Sequence, residues 1–269
     1  MKVSAEARKR YSERIKEYQA EIKRVSDHEA EVRNQLSADA GGHSLRVDLA
    51  QDCLDLVSYY ILMNALSVAL LGVKNEGYLK EGHKRIYKAI IYVEEAVSPL
   101  IDVPFSEYEE GVLALGELDD RSRYGFLRKL GFSIDAIQDG YGSNSKWKWS
   151  FVEIEGRYAV LAKNMLNLKT FVAGMDPRVD GYEERSGHMA LCKELLQNAA
   201  DRYREKYELS TLRLDDMKLA ISYLGALKRL HTLIGEDDGG DVVAKKIDAW
   251  KTKMEADERK TKERAKGKA

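Results

Sequence analysis

Residues able to do chemistry are few in this chain and scattered along it. The five histidines, His28, His43, His83, His188 and His231, fall in different segments. None belongs to an HExxH pair and none has a glutamate three residues before it, so neither the zinc-protease spacing nor the diiron-bundle spacing occurs. Glu184 and His188 stand one helical turn apart and could share a metal, although a surface pair or a helix contact accounts for the same spacing. In GEDDGGD (235–241) Gly239 sits where a calcium loop needs its third-position oxygen ligand, which excludes an EF-hand and leaves a linker. GxxxxGK[ST] and GxSxG are absent, and no GxGxxG follows a strand. Cys53 and Cys192 lie in apolar helical contexts (LAQDCLDLV and HMALCKELL) and read as buried free thiols. The sequence therefore nominates no catalytic, cofactor-binding or metal-ligating residue, no cofactor is expected, and the chain reads as a non-enzyme.

Charge narrows the partners. With 44 Lys+Arg against 45 Asp+Glu the net charge is −1, so no global field selects nucleic acid or membrane. Two local runs stand out. Asp102, Glu107, Glu109, Glu110, Glu117, Asp119 and Asp120 form an acidic run (102–120) with no base, either a solvated face or a dock for a basic partner. The tail from Arg259 to Lys268 holds six bases and one acid. A frayed terminus explains it, but it could also touch nucleic-acid phosphates, or the acidic run of a neighbouring subunit. The opening MKVSAEARKRY has no apolar signal core, so the expected compartment is the cytoplasm.

The elements that carry these residues read as helices throughout. Prolines occur only at 99, 104 and 177, which leaves long stretches free to be helical. Tyr11, Ile15, Tyr18, Ile22, Val25, Val32 and Leu36 make a heptad seam, with Glu29 at the missing position, after Ser4 as N-cap. Ser44 is expected to cap a second helix ending near Val73, and a third (79–98) carries Ile86, Ile90, Val93 and Val97. Ser106 and Glu109 match a capping box. From Ser145 a second seam runs Trp147, Phe151, Ile154, Tyr158, Leu161, Met165, Leu168, Val172, expected as one long helix. Asp180 and Ser210 announce two more helices, the latter with Ala220, Leu224, Leu227 and Ile234 on its face. A last helix has Val243, Ile247, Trp250 and Met254 on its seam. No segment repeats another.

FLRKLGFSIDAIQ (126–138) predicts two short helices hinged at Gly131-Phe132-Ser133. It resembles the stretch of MerR-type transcription regulators in which a helix, the turn LGFS and a second helix follow the winged helix-turn-helix. The resemblance spans fewer than 20 residues, and the acidic run occupies the place of the recognition helix.

Residues 56–73, LVSYYILMNALSVALLGV, carry no charge. They would span about 27 Å as a helix, barely a hydrocarbon core. Tyr60, Asn64, Ser67 and Lys74 form a polar stripe, and the flanks lack an aromatic or basic belt, so the stretch reads as a central core helix and not a membrane span. Its buried polar groups then need hydrogen-bond partners.

These readings converge on an all-α chain: an elongated bundle or irregular array of about eight to ten helices with coiled-coil-like N-terminal and C-terminal helices. The expected divisions are 1–40, 44–235 and 239–269. The function that fits is a structural or adaptor protein, binding protein partners or itself through the 11–36 and 147–172 seams, with a possible basic partner at 102–120. The alternative is a nucleic-acid-associated regulatory protein using the basic tail.

Overall fold

The computed structural model describes residues 3–36, 42–116, 118–142 and 147–266. Ten α-helices and no strand occupy them, an all-α helical array. The chain divides into two compact units, one of Met1–Ser98 with Tyr108–Ile154 and one of Pro99–Glu107 with Glu155–Ala269.

In the first unit α2 (His43–Leu66) is the hub. Helices α1 (Ala5–Leu36), α3 (Glu76–Ala96), α4 (Glu109–Ala114) and α5 (Asp120–Tyr141) all pack against it. Its inner positions Leu49, Ala50, Cys53, Leu54, Leu56 and Val57 are fully buried. Each large aliphatic side chain so enclosed contributes about 1.5–3 kcal/mol. Close approach is secured by glycine where needed: a Cβ on Gly111 of α4 would lie 2.7 Å from the Ala96 carbonyl oxygen at the end of α3.

In the second unit α9 (Leu214–Leu233) packs on both α8 (Tyr182–Lys206) and α10 (Asp237–Lys266). The later half of α6 (Lys148–Asn164) lies against this hairpin. A Cβ on Gly156 would meet the Tyr223 hydroxyl at 2.5 Å, and Arg202 Nε donates to Glu155 at 2.9 Å.

One bend occurs twice. Helix α2 widens into a π-turn, Ser67–Leu71, which ends on left-handed Gly72 (φ 70°). Helix α8 widens into a π-turn, Tyr207–Thr211, which ends on left-handed Leu212 (φ 52°). Each leads within a few residues into the second helix of a hairpin, α3 or α9, although the sequences around the two bends are unlike.

Several boundaries differ from the sequence expectation, each for a local reason. Ser4 does cap α1, its hydroxyl accepting from Ala7 N at 3.1 Å. Ser44 does not cap α2, which begins at His43 after Gly42. Ser106 lies in a 3₁₀ turn (Phe105–Glu107) ahead of α4, and α8 starts after left-handed Gly181, not at an Asp180 cap. The hinge at Gly131-Ser133 is absent: α5 runs unbroken, and the Ser133 hydroxyl donates back to Lys129 O at 2.8 Å. Phe126, Leu127, Leu130, Ile134 and Ile137 form a continuous buried stripe across that point, so packing overrides the capping signal. The turn shared with MerR-type regulators is therefore missing.

The 147–172 seam, by contrast, is broken. Helix α6 stops at Asn164, and Asn167 caps a short α7 (Leu168–Ala173) by accepting from Lys169 N and Thr170 N. Ser145, its expected start, lies outside the described residues. GEDDGGD is mostly helix: α10 begins at Asp237, and only Gly235 (φ 73°) and Glu236 remain as the turn.

Candidate functional site

Both seams are buried within the chain at part of their positions. Ile15, Val25, Glu29 and Val32 of α1 are buried, and the remaining α1 seam positions are half-buried. The helix is fastened to its own unit by polar contacts as well. Glu29 accepts from Arg85 Nη1 at 2.8 Å and from the Tyr92 hydroxyl at 3.0 Å, and it also pairs with Lys88. Tyr11 and Tyr78 hydroxyls meet at 3.2 Å, and His28 Nδ1 lies 2.7 Å from Asp52. On the second seam Phe151, Ile154, Tyr158, Leu161 and Met165 are buried, and Val172 is exposed.

Among the described residues, an uncharged strip along one face of the hub helix is uncovered. Ser58, Leu62, Ala65 and Ala69 are exposed and fall within about 60° of one another at 100° per residue. Val68 and Val73 widen the strip, and Leu62, Val68 and Val73 keep 44%, 48% and 62% of their surface in water. No charge interrupts it between Asp55 and Lys74. The segment His43–Leu71 is long and apolar enough, by length and composition, to cross a membrane. Its polar residues have structural posts instead. Asn64 Oδ1 accepts from Asn75 N at 2.9 Å, and the Ser67 hydroxyl donates to Val73 O at 2.7 Å. These bonds hold the bend to α3, whose first turn is capped by the Asn75 side chain. The expected stripe is thus buried at Asn64 and Ser67, and its partners lie in the helix's own bend. The bare face was not foreseen; its only sequence signal is that a helix apolar on all sides needs neighbours on all sides.

The titratable groups have structural posts too. His83 is buried in an aromatic cluster: it stacks on Phe151 at 5.0 Å and meets Tyr87, Trp147 and Tyr141 at 5.3, 6.1 and 6.3 Å between ring centres. His83 Nε2 and Tyr141 Oη are buried there without hydrogen-bond partners, and burial lowers the imidazole's pKa. His188 Nε2 lies 2.8 Å from the Ala162 carbonyl oxygen, His43 Nδ1 lies 2.7 Å from Ala96 O, and His231 Nδ1 meets Glu236 at 2.7 Å. Among the described residues, no group of three or more His, Cys, Asp or Glu is placed to hold a metal ion. Cys53 and Cys192 are free and buried, as read from the sequence, and burial pushes both thiols up to about 12.

The charged runs are partly structural. Asp119 caps α5 by accepting from Ser122 N at 2.7 Å, and Asp102 pairs with Arg229 at 3.0 Å. Buried Arg123 donates to the carbonyls of Val112, Leu115 and Leu118, closing the end of α4. Glu117 lies outside the described residues. In the tail, Lys260 and Lys262 sit 3.9 and 2.6 Å from Asp257 and Glu258 on a helix that continues to Lys266. Residues 267–269 and Lys146 lie outside the described residues, and Lys148 rests over the Trp149 ring at 4.7 Å.

The chain belongs to the TP0443 family, whose model matches residues 7–258. No curated protein and no solved structure matches it.

Proposed function

We propose that this TP0443-family chain is a non-enzymatic structural or adaptor protein that docks an apolar helix of a protein partner on the uncovered face of α2. The observation that carries the reading is the run Ser58, Leu62, Ala65, Val68 and Ala69, exposed and uncharged on the hub helix of a unit and its π-turn. Leu62 and Val68 keep 44% and 48% of their surface in water, which forgoes about 0.7–1.5 kcal/mol apiece of what full burial gives. A partner helix recovers it, and small Ala65 and Ala69 let that helix approach closely. A strip without charge suits an uncharged surface and not a phosphate backbone. The nucleic-acid reading has less behind it, because the described tail lysines Lys260 and Lys262 already have acidic partners.

The test is a photocrosslinking amino acid placed at 65 and, as control, at exposed Glu13 of α1, in the native host. Crosslinks to a defined protein at 65, lost when Leu62→Asp and Val68→Asp are added, are expected. Equal yields at 65 and 13 would refute the reading.

A further inference from the structure

In the second unit a cleft of about 620 Å³ lies along α9 and α10. That volume is within the range of small-molecule sites, about 300–1,000 Å³. Its apolar lining comes from Ile221 and Leu233 of α9 and from Ala244 and Ile247 of α10. Lys228 on α9 and Lys251 on α10 also line it, and among the described residues neither amine makes an ion pair.

We propose that this cleft binds an amphipathic organic anion, with its apolar body on Ile221, Ala244 and Ile247 and its carboxylate or phosphate head met by Lys228 and Lys251.

The other charges along the cleft leave that role to the two lysines. Arg229 is held by Asp102, with Nε and Nη2 at 3.1 and 3.0 Å from the same carboxylate oxygen. Gly225 makes room for that pair, since a Cβ there would stand 2.3 Å from the carboxylate. Asp248 is the second acid of the lining, so Lys228, Arg229 and Lys251 exceed Asp102 and Asp248 by one positive charge. The hydroxyls are already committed as donors, Ser222 to Lys218 O at 3.0 Å and Thr232 to Lys228 O at 3.1 Å. They cannot also donate to an anion. Head and body are both required, because a lone amine–anion contact in water is weak and an apolar floor alone would not choose anions.

Calorimetric titration of the full chain with octanoate, octyl phosphate, 1-octanol and inorganic phosphate, all below micellar concentration, tests this. Octanoate or octyl phosphate is expected to bind at least tenfold more tightly than 1-octanol and than inorganic phosphate; the two arms tell carboxylate from phosphate. Lys228→Gln with Lys251→Gln, both at exposed positions, should weaken that binding at least tenfold with the helical circular dichroism unchanged. Ala244→Trp should abolish it by filling the cleft. The proposal fails if neither anion binds, if the double variant binds as wild type does, or if 1-octanol or inorganic phosphate binds as well as the anions. None of these variants touches α2, so the outcome is independent of the docking face.

Discussion

Replacing Glu29 by leucine completes the apolar seam of α1, yet it should destabilise the first unit. The carboxylate is buried and holds Arg85, Lys88 and Tyr92. Stranding a fully buried charge costs about 3–5 kcal/mol. Here the cost is smaller, because the Arg85 and Lys88 side chains are 22% and 34% exposed and can turn to water. About 2–3 kcal/mol is the discounted figure. The Tyr92 hydroxyl, on a residue 9% exposed, loses its acceptor, which adds about 1–3 kcal/mol. The buried leucine returns about 2 kcal/mol. The net loss is about 1–4 kcal/mol. Urea unfolding followed by tryptophan fluorescence in a Trp250→Phe background reads the first unit alone, since Trp147 and Trp149 both belong to it. Adding Tyr92→Phe to Glu29→Leu should restore the hydroxyl's share. Glu29 also leaves a pH signature. Burial pushes the Glu29 carboxyl up, but Lys88, Tyr92 and Arg85 together outweigh it and hold the carboxyl below its ordinary value. Its contribution is therefore complete above that ordinary value and disappears as pH falls through the lowered one, so the deficit of the variant should shrink in acid. A midpoint for Glu29→Leu equal to or above wild type at neutral pH would refute the account, as would no recovery on adding Tyr92→Phe.

Three further outcomes follow from the same geometry. Asn64→Leu removes the acceptor for Asn75 N and should cost about 1–3 kcal/mol in the same assay, leaving the chain soluble; recovery of the wild-type chain in a washed membrane fraction would contradict the core-helix reading. Burial holds His83 neutral, with its pKa below the ordinary 6.5, so the stability of the first unit should fall as pH drops below that value. His83→Phe should flatten that part of the pH profile, while His28, raised by Asp52, works in the opposite sense and loses its contribution as pH climbs through its raised value. Finally, Cys53 and Cys192 should react with an aromatic disulfide reagent only at the rate of unfolding, since both thiols are buried and pushed up to about 12; rapid labelling of the native chain would contradict this.

The all-α class and the central place of the uncharged helix were legible because they rest on local pattern, few prolines and apolar periodicity. Interruptions were legible only where sequence and packing agree. Gly131 and Ser133 signal a hinge, yet Leu130 and Ile134 are buried on either side of them and keep α5 whole. Across 164–167 the seam spacing continues, and the break comes from Asn164, whose amide donates to Leu100 O at 3.1 Å, 64 residues away in sequence. Glu29 was visible as the odd letter in a seam, but Arg85 and Tyr92 are 56 and 63 residues away. The bare face of α2 was illegible for a related reason. Exposure belongs to the arrangement of neighbours, and the letters of Leu62 and Leu56 are the same although one is in water and the other is fully buried.

The two hairpin bends share a plan but not a cost. At the first, the left-handed post is Gly72, which adopts φ 70° without penalty. At the second it is Leu212, for which φ 52° costs about 1–2 kcal/mol, and its side chain, 72% exposed, recovers little of that by packing. The chain is therefore wound unevenly, relaxed at one bend and tensioned at the other. In hydrogen exchange the amides of 207–212 should open ahead of those of 67–72, and the sequence of unlatching is written into a single side chain.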